Sequence, residues 1–327
     1  MTSLRGRDRV LSRRLFLQLA GAAAVGSGLP ACAEPQPSKA TTPNRLRVQA
    51  IPGSDPLVAR TLAILKNRIE ERGAARVVEV GRRPQVILTL DSRLAAEAFR
   101  IDAVRGAVRV AGGSPSGLLY GVGKFLRTSG YEGAFQPSGW RGLSMPQGPL
   151  RGMYFASHFH NWYVQASDGE IARYLEDMAL WGVNVVKVIF PLINLRDWDD
   201  PEAGPALDMV RRYARAARAL GIRFATGLNN CMFTSAPAAL RAQRLPDPTH
   251  RRGNSGNPIC PSNPAGHAYL MENAQQLFLK LSESGVDILV LWPYDEGGCA
   301  CENCRPWGSN GYLKLSRDFA ALGRTYF

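Results

Sequence analysis

Two adjacent carboxylates, Asp295 and Glu296, follow the apolar run Ile288-Leu289-Val290-Leu291-Trp292 and its break at Pro293. Gly297-Gly298 and the cluster Cys299-x-Cys301-x-x-Cys304 come directly after them. The run reads as a parallel strand buried on both faces. Loops after the C-terminal ends of such strands are where α/β architectures place catalytic groups. A carboxyl beside a second carboxylate holds its proton more tightly, because two negative charges at one place repel. A general acid needs such a raised pKa, so Asp295 and Glu296 are placed to supply a catalytic acid and its helper. The alternative is a pair that merely caps the turn before a helix. Trp292 and Tyr294 flank the pair and offer a wall for stacking on a sugar. Adjacent strand residues point to opposite faces, so both carboxyls reach one pocket only where the strand has already ended.

Further polar groups stand at other strand ends. In His158-Phe159-His160-Asn161-Trp162 the two histidines alternate around Phe159, face the same way, and either line the pocket mouth or satisfy loop backbone. Asn229-Asn230 binds hydroxyls or forms a turn. Of the six cysteines, Cys231, Cys260, Cys299, Cys301 and Cys304 lie beyond Cys32. Cys260, Cys299, Cys301 and Cys304 supply the full ligand set of a structural zinc, which leaves no open position for catalysis. Disulfides are the rival in an oxidising compartment. No cofactor for catalysis is expected.

The elements that position these groups fall into two blocks. Residues 45–145 read as a small β-α-β-β-β-α domain: strands at 45–51, 86–90, 98–101 and 107–110, a helix at 56–72, and a second helix opened by Ser114-Pro115. Gly117 and Gly121 fall inside that second helix, where close packing on a sheet explains them better than a nucleotide loop. Residues 150–327 alternate strand and helix: strands at 152–156, 185–190, 223–227 and 288–292, with helices at 168–181, 206–220, 265–284 and 312–325. Glycines close these helices, and the rhythm is that of a (β/α)8 barrel. Eight units need about 250 residues, whereas 177 run from Arg151 to Phe327. About the first four units are therefore present, and the chain is expected to be the N-terminal part of a longer enzyme.

Arg13-Arg14 before a short apolar run is a twin-arginine export pattern, and Ala31-Cys32 resembles a lipoprotein cleavage box. Residues 1–31 are expected to be removed, Cys32 to be lipidated, and residues 32–44 to form a Pro- and Thr-rich tether. Any membrane contact is then through that lipid alone, and the destination is the periplasm or cell envelope. The net charge of +13 falls to +9 without residues 1–31. The remaining arginines are scattered without an interleaved aromatic stripe, which argues against nucleic acid as a partner. A carbohydrate substrate is the expected partner.

The Gly112-Gly113-Ser-Pro-Ser-Gly117-Leu-Leu-Tyr-Gly121 helix, together with the Arg151-Gly152 that opens the next strand, resembles the glycoside hydrolases of the β-hexosaminidase (family 20) and α-glucuronidase (family 67) type. The resemblance covers residues 45–327 and implies a retaining glycosidase. It assigns Arg151 to sugar hydroxyls, Asp295 to orienting an acetamido group, and Glu296 to protonating the leaving oxygen. Two departures stand out: Ala156 occupies the place of a strand-1 Asp, and Gly297-Gly298 follow the acidic pair instead of preceding it. The His158 to Trp162 loop is similar to the first loop of α-glucuronidases. The cysteine loop with Cys260-Pro-Ser-Asn-Pro264 resembles bacterial exported barrel proteins with a hexosaminidase-like second domain. Two functions fit these residues. One is an exported retaining hydrolase of amino-sugar or uronic-acid glycans; the other is a non-catalytic, membrane-tethered carbohydrate-binding lipoprotein or inactive hydrolase fragment.

Overall fold

The structure, a computed structural model, describes residues 44–50, 55–244, 257–292 and 298–327. The export segment 1–31, Cys32, nearly all of the tether, and Tyr294, Asp295 and Glu296 lie outside the described residues.

The first sheet runs through β1 (Arg45–Ala50), β2 (Arg76–Glu79), β3 (Val86–Leu90), β4 (Phe99–Val104), β5 (Ala107–Gly112) and β6 (Gly142–Ser144), in the order β2-β1-β3-β5-β4-β6. β1, β2, β3 and β5 are parallel, while β4 runs against both β5 and β6. Sequence periodicity leaves out β2 and β6, the two edge strands. β2 buries only Val77, and β6 buries nothing, so neither carries an alternation to detect.

Helix α1 (Pro56–Glu70) starts where the Asp55 side chain accepts a hydrogen bond from the Leu57 amide. Helix α2 (Pro115–Arg127) starts in the same way at Ser114, whose hydroxyl accepts from the Gly117 amide. Both caps satisfy amides that have no partner inside the helix. The glycines of α2 do pack as the sequence suggested. A Cβ on Gly117 would sit 2.5 Å from the Ala98 carbonyl oxygen, and one on Gly121 would sit 2.8 Å from Val110 Cγ1. On the opposite side of α2, a Cβ on Gly123 would lie 1.9 Å from the Leu180 carbonyl oxygen.

The second sheet is β7 (Gly152–Phe155), β8 (Val185–Val188), β9 (Arg223–Leu228) and β12 (Ile288–Leu291), all parallel and adjacent in chain order. Its helices are α4 (Asp168–Leu180), α5 (Ala203–Arg218), α6 (Pro264–Leu281) and α7 (Lys314–Gly323), preceded by a one-turn α3 (Trp162–Gln165). A short hairpin, β10 (Cys231–Met232) with β11 (Asn257–Pro258), follows β9. This is a mixed α/β architecture whose second part is a partial (β/α)8-type barrel. Phe155, Val186, Val188 and Phe224 on the strands pack with Leu175, Tyr213 and Phe278 on the helices in one fully buried core. Gly182, Gly221 and Gly285 all take positive φ where helical segments end, the left-handed conformation that glycine adopts without a Cβ penalty.

Two expectations need correcting. The strand before the acidic pair is half-exposed along its length, not buried on both faces, because among the described residues β12 pairs only with β9 and forms the sheet edge. The last helix begins at Lys314 rather than Tyr312, after a π-helical turn at Gly308–Leu313 in which Gly311 leaves room for the Trp307 ring. Among the described residues no helix is long and apolar enough to cross a membrane.

Candidate functional site

The C-terminal ends of β7, β8, β9 and β12 open on one small cleft, lined by His158, Phe190, Leu192, Leu228, Asn229 and Trp292. His158 Nδ1 lies 3.0 Å from the Tyr154 hydroxyl, and the two rings stack at 6.1 Å. The His158 carbonyl accepts from Asn194 Nδ2 at 2.6 Å, which fixes the loop after β7. Asn229 lines the cleft while its Oδ1 accepts the Cys231 amide at 2.8 Å. Asn230 is buried and donates to the Ile259 carbonyl, so it holds the β10–β11 hairpin.

His160 does not share the cleft with His158. It lines a neighbouring hollow with Phe159, Glu202 and Arg212, and its Nε2 meets Gln165 Nε2 at 3.0 Å. The alternation expected for residues 158–160 fails because this stretch turns: the Ser157 and Phe159 amides donate to the carbonyls of Phe155 and Ala156. Asn161 caps α3, accepting from the Tyr163 amide and donating to the Ala156 carbonyl. Trp162 packs edge-on against Tyr163 and Tyr174 and remains half-exposed.

Sequence reasoning passed over Lys187. Its Nζ sits 3.6 Å from the centre of the Trp292 ring and 4.6 Å from that of Tyr154, within cation–π range of both. The signal was present: Lys187 is the only charged residue in the strand Val185-Val186-Lys187-Val188. Gly227 makes room for this stack, since a Cβ there would lie 2.2 Å from Trp292 Cζ3.

Arg151, assigned by the resemblance to sugar hydroxyls, stands at the N-terminal end of β7, opposite the cleft. Its guanidinium donates to Glu97 at 2.9 Å and to the carbonyls of Gly182 and Gly148. Asn184 donates to the same carboxylate at 2.9 Å and accepts from the Arg151 amide. This network ties the first sheet's domain to the first barrel strand.

No family model and no curated protein matches the sequence. Solved structures do match. A GH20 exo-β-N-acetylglucosaminidase from Vibrio harveyi, in complex with N-acetylglucosamine, superposes with a TM-score of 0.55 at 14% identity, over 86% of this chain and 50% of that one. The β-N-acetylhexosaminidase of Bacteroides fragilis gives 0.58 at 12% identity, over 86% and 60%. A GH138 enzyme targeting pectin rhamnogalacturonan II gives 0.55 at 15% identity, over 85% and 34%.

The chain has a hexosaminidase-like glycoside hydrolase fold. It spans between a third and three fifths of the length of these three enzymes.

In this hexosaminidase-like fold, Trp292 is the last described residue before the acidic loop, and Gly298 is the first described residue after it. The chain then enters a second small core made of Cys260, Cys299 and Cys304, against which Ala242, Cys301 and Trp307 pack. The Sγ atoms of Cys260, Cys299, Cys301 and Cys304 all lie within 4.8 Å of one another, so the group has the donor set to hold a metal ion. Burial pushes the Cys299 thiol up to about 11 and raises that of Cys304 as well. Cys231, also buried, lies apart in the hairpin.

Proposed function

We propose that this chain carries the first sheet domain and the first half of the catalytic barrel of an exported retaining glycoside hydrolase acting on amino-sugar or uronic-acid glycans. The observation that supports it is the cleft. Four consecutive parallel strands of a hexosaminidase-like fold end at it, and the last of them leads directly into Asp295-Glu296. In this reading Glu296 protonates the departing glycosidic oxygen. Asp295 orients the substrate acetamido group, whose oxygen attacks the anomeric carbon, so that two successive inversions retain configuration. Trp292 and Tyr294 stack on the sugar, and His158 and Asn229 meet its hydroxyls. The thiol cluster takes no part in these proton transfers, and we assign it a structural zinc. Export by the twin-arginine route with lipidation at Cys32 completes the proposal; a mass spectrum of the membrane fraction showing an intact Met1 would end that part of it.

The decisive experiment compares Glu296→Gln with wild type in the longest natural form of the protein, on two kinds of substrate. General acid help is typically worth about 10²–10⁴-fold, or about 3–5 kcal/mol of barrier. The variant is expected to lose most of that on unactivated glycosides and far less on aryl glycosides whose leaving groups depart unaided. Asp295→Asn should slow both kinds alike when they carry an acetamido group, and matter little otherwise. Wild-type rates for Glu296→Gln on unactivated glycosides would remove Glu296 as the acid. Oligosaccharide binding with no turnover would make the protein a carbohydrate-binding one instead.

A further inference from the structure

Two segments far apart in sequence meet at one buried sulfur knot. Cys260 follows β11, and Cys299, Cys301 and Cys304 lie on the turn that leaves the acidic loop. Cys260 Sγ is 3.7 Å from Cys301 Sγ and 3.8 Å from Cys304 Sγ. No disulfide joins Cys260, Cys299, Cys301 or Cys304. A disulfide brings its sulfurs to about 2.05 Å. Four sulfurs arranged as a tetrahedron around zinc at about 2.3 Å stand about 1.63 times farther apart than that radius, or about 3.8 Å. The two Cys260 separations match the tetrahedron's edge.

The surroundings fit thiolates as well. The Ser262 hydroxyl is 3.1 Å from Cys304 Sγ, placed to donate to it as the outer partner that metal-bound sulfur commonly has. Backbone bonds hold both segments in place. The Cys260 amide donates to Leu240, the Cys304 amide to Cys301, and the Ala300 amide to Gln243 at 2.7 Å. Gly298, with φ of 70°, lets the chain pass under the Trp307 ring, which a Cβ there would approach to 2.3 Å. Only the six residues from Pro293 to Gly298 separate the last β12-side residue, Trp292, from Cys299 of this knot.

We propose that Cys260, Cys299, Cys301 and Cys304 bind one zinc ion as thiolates, and that the ion pins the far end of the acidic loop to the β10–β11 hairpin. Binding releases one proton from each thiol to solvent and leaves a tetrathiolate centre with two net negative charges. The consequence for catalysis rests on the hydrolase reading; the zinc site and the pin do not.

The test uses the full chain. Elemental analysis after exhaustive dialysis should find about one zinc per chain. Exchange for cobalt(II) should give the intense visible bands of a tetrahedral ion with thiolate charge transfer in the near ultraviolet. Cys301→Ser should lose one of the four thiolate contributions, and Cys260→Ser should lower zinc retention. Stripping zinc with a chelator should speed amide hydrogen exchange at Ala300 and Cys304 while leaving β8 protected, a readout that survives even where a variant fails to fold. Wild-type protein without zinc, a disulfide among these cysteines, or a weak octahedral cobalt spectrum would overturn the site. Unchanged exchange at Ala300 and Cys304 after stripping would overturn the pin. Zinc-loaded protein with a tight loop and no glycosidase activity would leave this inference standing and count against the hydrolase reading alone.

Discussion

Lys187 illustrates how a single side chain sets the character of the cleft. Its ammonium lies between two aromatic faces on the strand floor. Each such contact is worth on the order of 0.5–2 kcal/mol, more as water is excluded. Lys187→Met is therefore expected to lower stability by about 1–2 kcal/mol, read as a fall in Tm. It should also raise KM for glycans carrying carboxylates more than for neutral amino-sugar ones, because it removes a cation beside the cleft. Equal effects on both would argue against an acidic substrate. Composition and motif reading picked out Trp292, which faces this lysine, and His158 and Asn229 on the cleft beside it, because they are aromatic and polar types at strand ends. It passed over Lys187 because a cation inside an apolar strand shows its purpose only when the neighbouring strands lie beside it. Arg151 failed in the opposite direction. Its position before a strand was legible, but which end of that strand faces the cleft depends on chain direction, and the guanidinium points to Glu97 instead.

Helix α2 is pressed tightly on two sides. One side meets the first sheet through Gly117 and Gly121, and the other meets the end of α4 through Gly123. Gly123→Ala would drive a methyl into the Leu180 carbonyl, a backbone atom that cannot swing aside. Overpacking costs about 1–3 kcal/mol, occasionally more, so this variant should melt well below wild type, whereas Gly133→Ala, with open space around it, should lose only what its positive φ costs. Comparable melting of the two would show that α2 and α4 separate easily. The helices were legible because caps and glycine stops punctuate them, as at Ser114 and Gly182. The edge strands were not, since β2 and β6 are too short to show a period. The one-turn α3 and the hairpin β10–β11 were hidden for the same reason, as was the turn before α3 that parts His160 from His158.

At the scale of the whole molecule, the junction of the two sheets is governed by a carboxylate. Burial tends to raise the pKa of Glu97, but hydrogen bonds from Arg151 and Asn184 outweigh it and hold the carboxyl below its ordinary 4.5. A depressed carboxylate contributes stability above its unfolded pKa and loses it as pH falls through the folded value. Tm should therefore hold steady from neutral pH down to about 5 and fall progressively below that. Glu97→Gln should lower Tm at neutral pH and shrink the acid-induced fall, checked by melting curves across pH. The order of the large architecture was legible from the strand and helix rhythm alone, down to the number of barrel units.

That order has a consequence in time. In the second sheet every new strand pairs with the one made just before it, so the sheet can grow as the ribosome delivers it. The first sheet cannot, because β5 must enter between β3 and the earlier β4. Cys260 precedes Cys301 by 41 residues. At about 5–20 residues per second of synthesis, that thiol waits roughly 2–8 s for its partners. During that interval it is a lone sulfur on a nearly finished surface, and a cell that oxidises thiols quickly would trap it before the clamp can close. On the zinc reading, a reducing environment during synthesis would keep that thiol available for its partners.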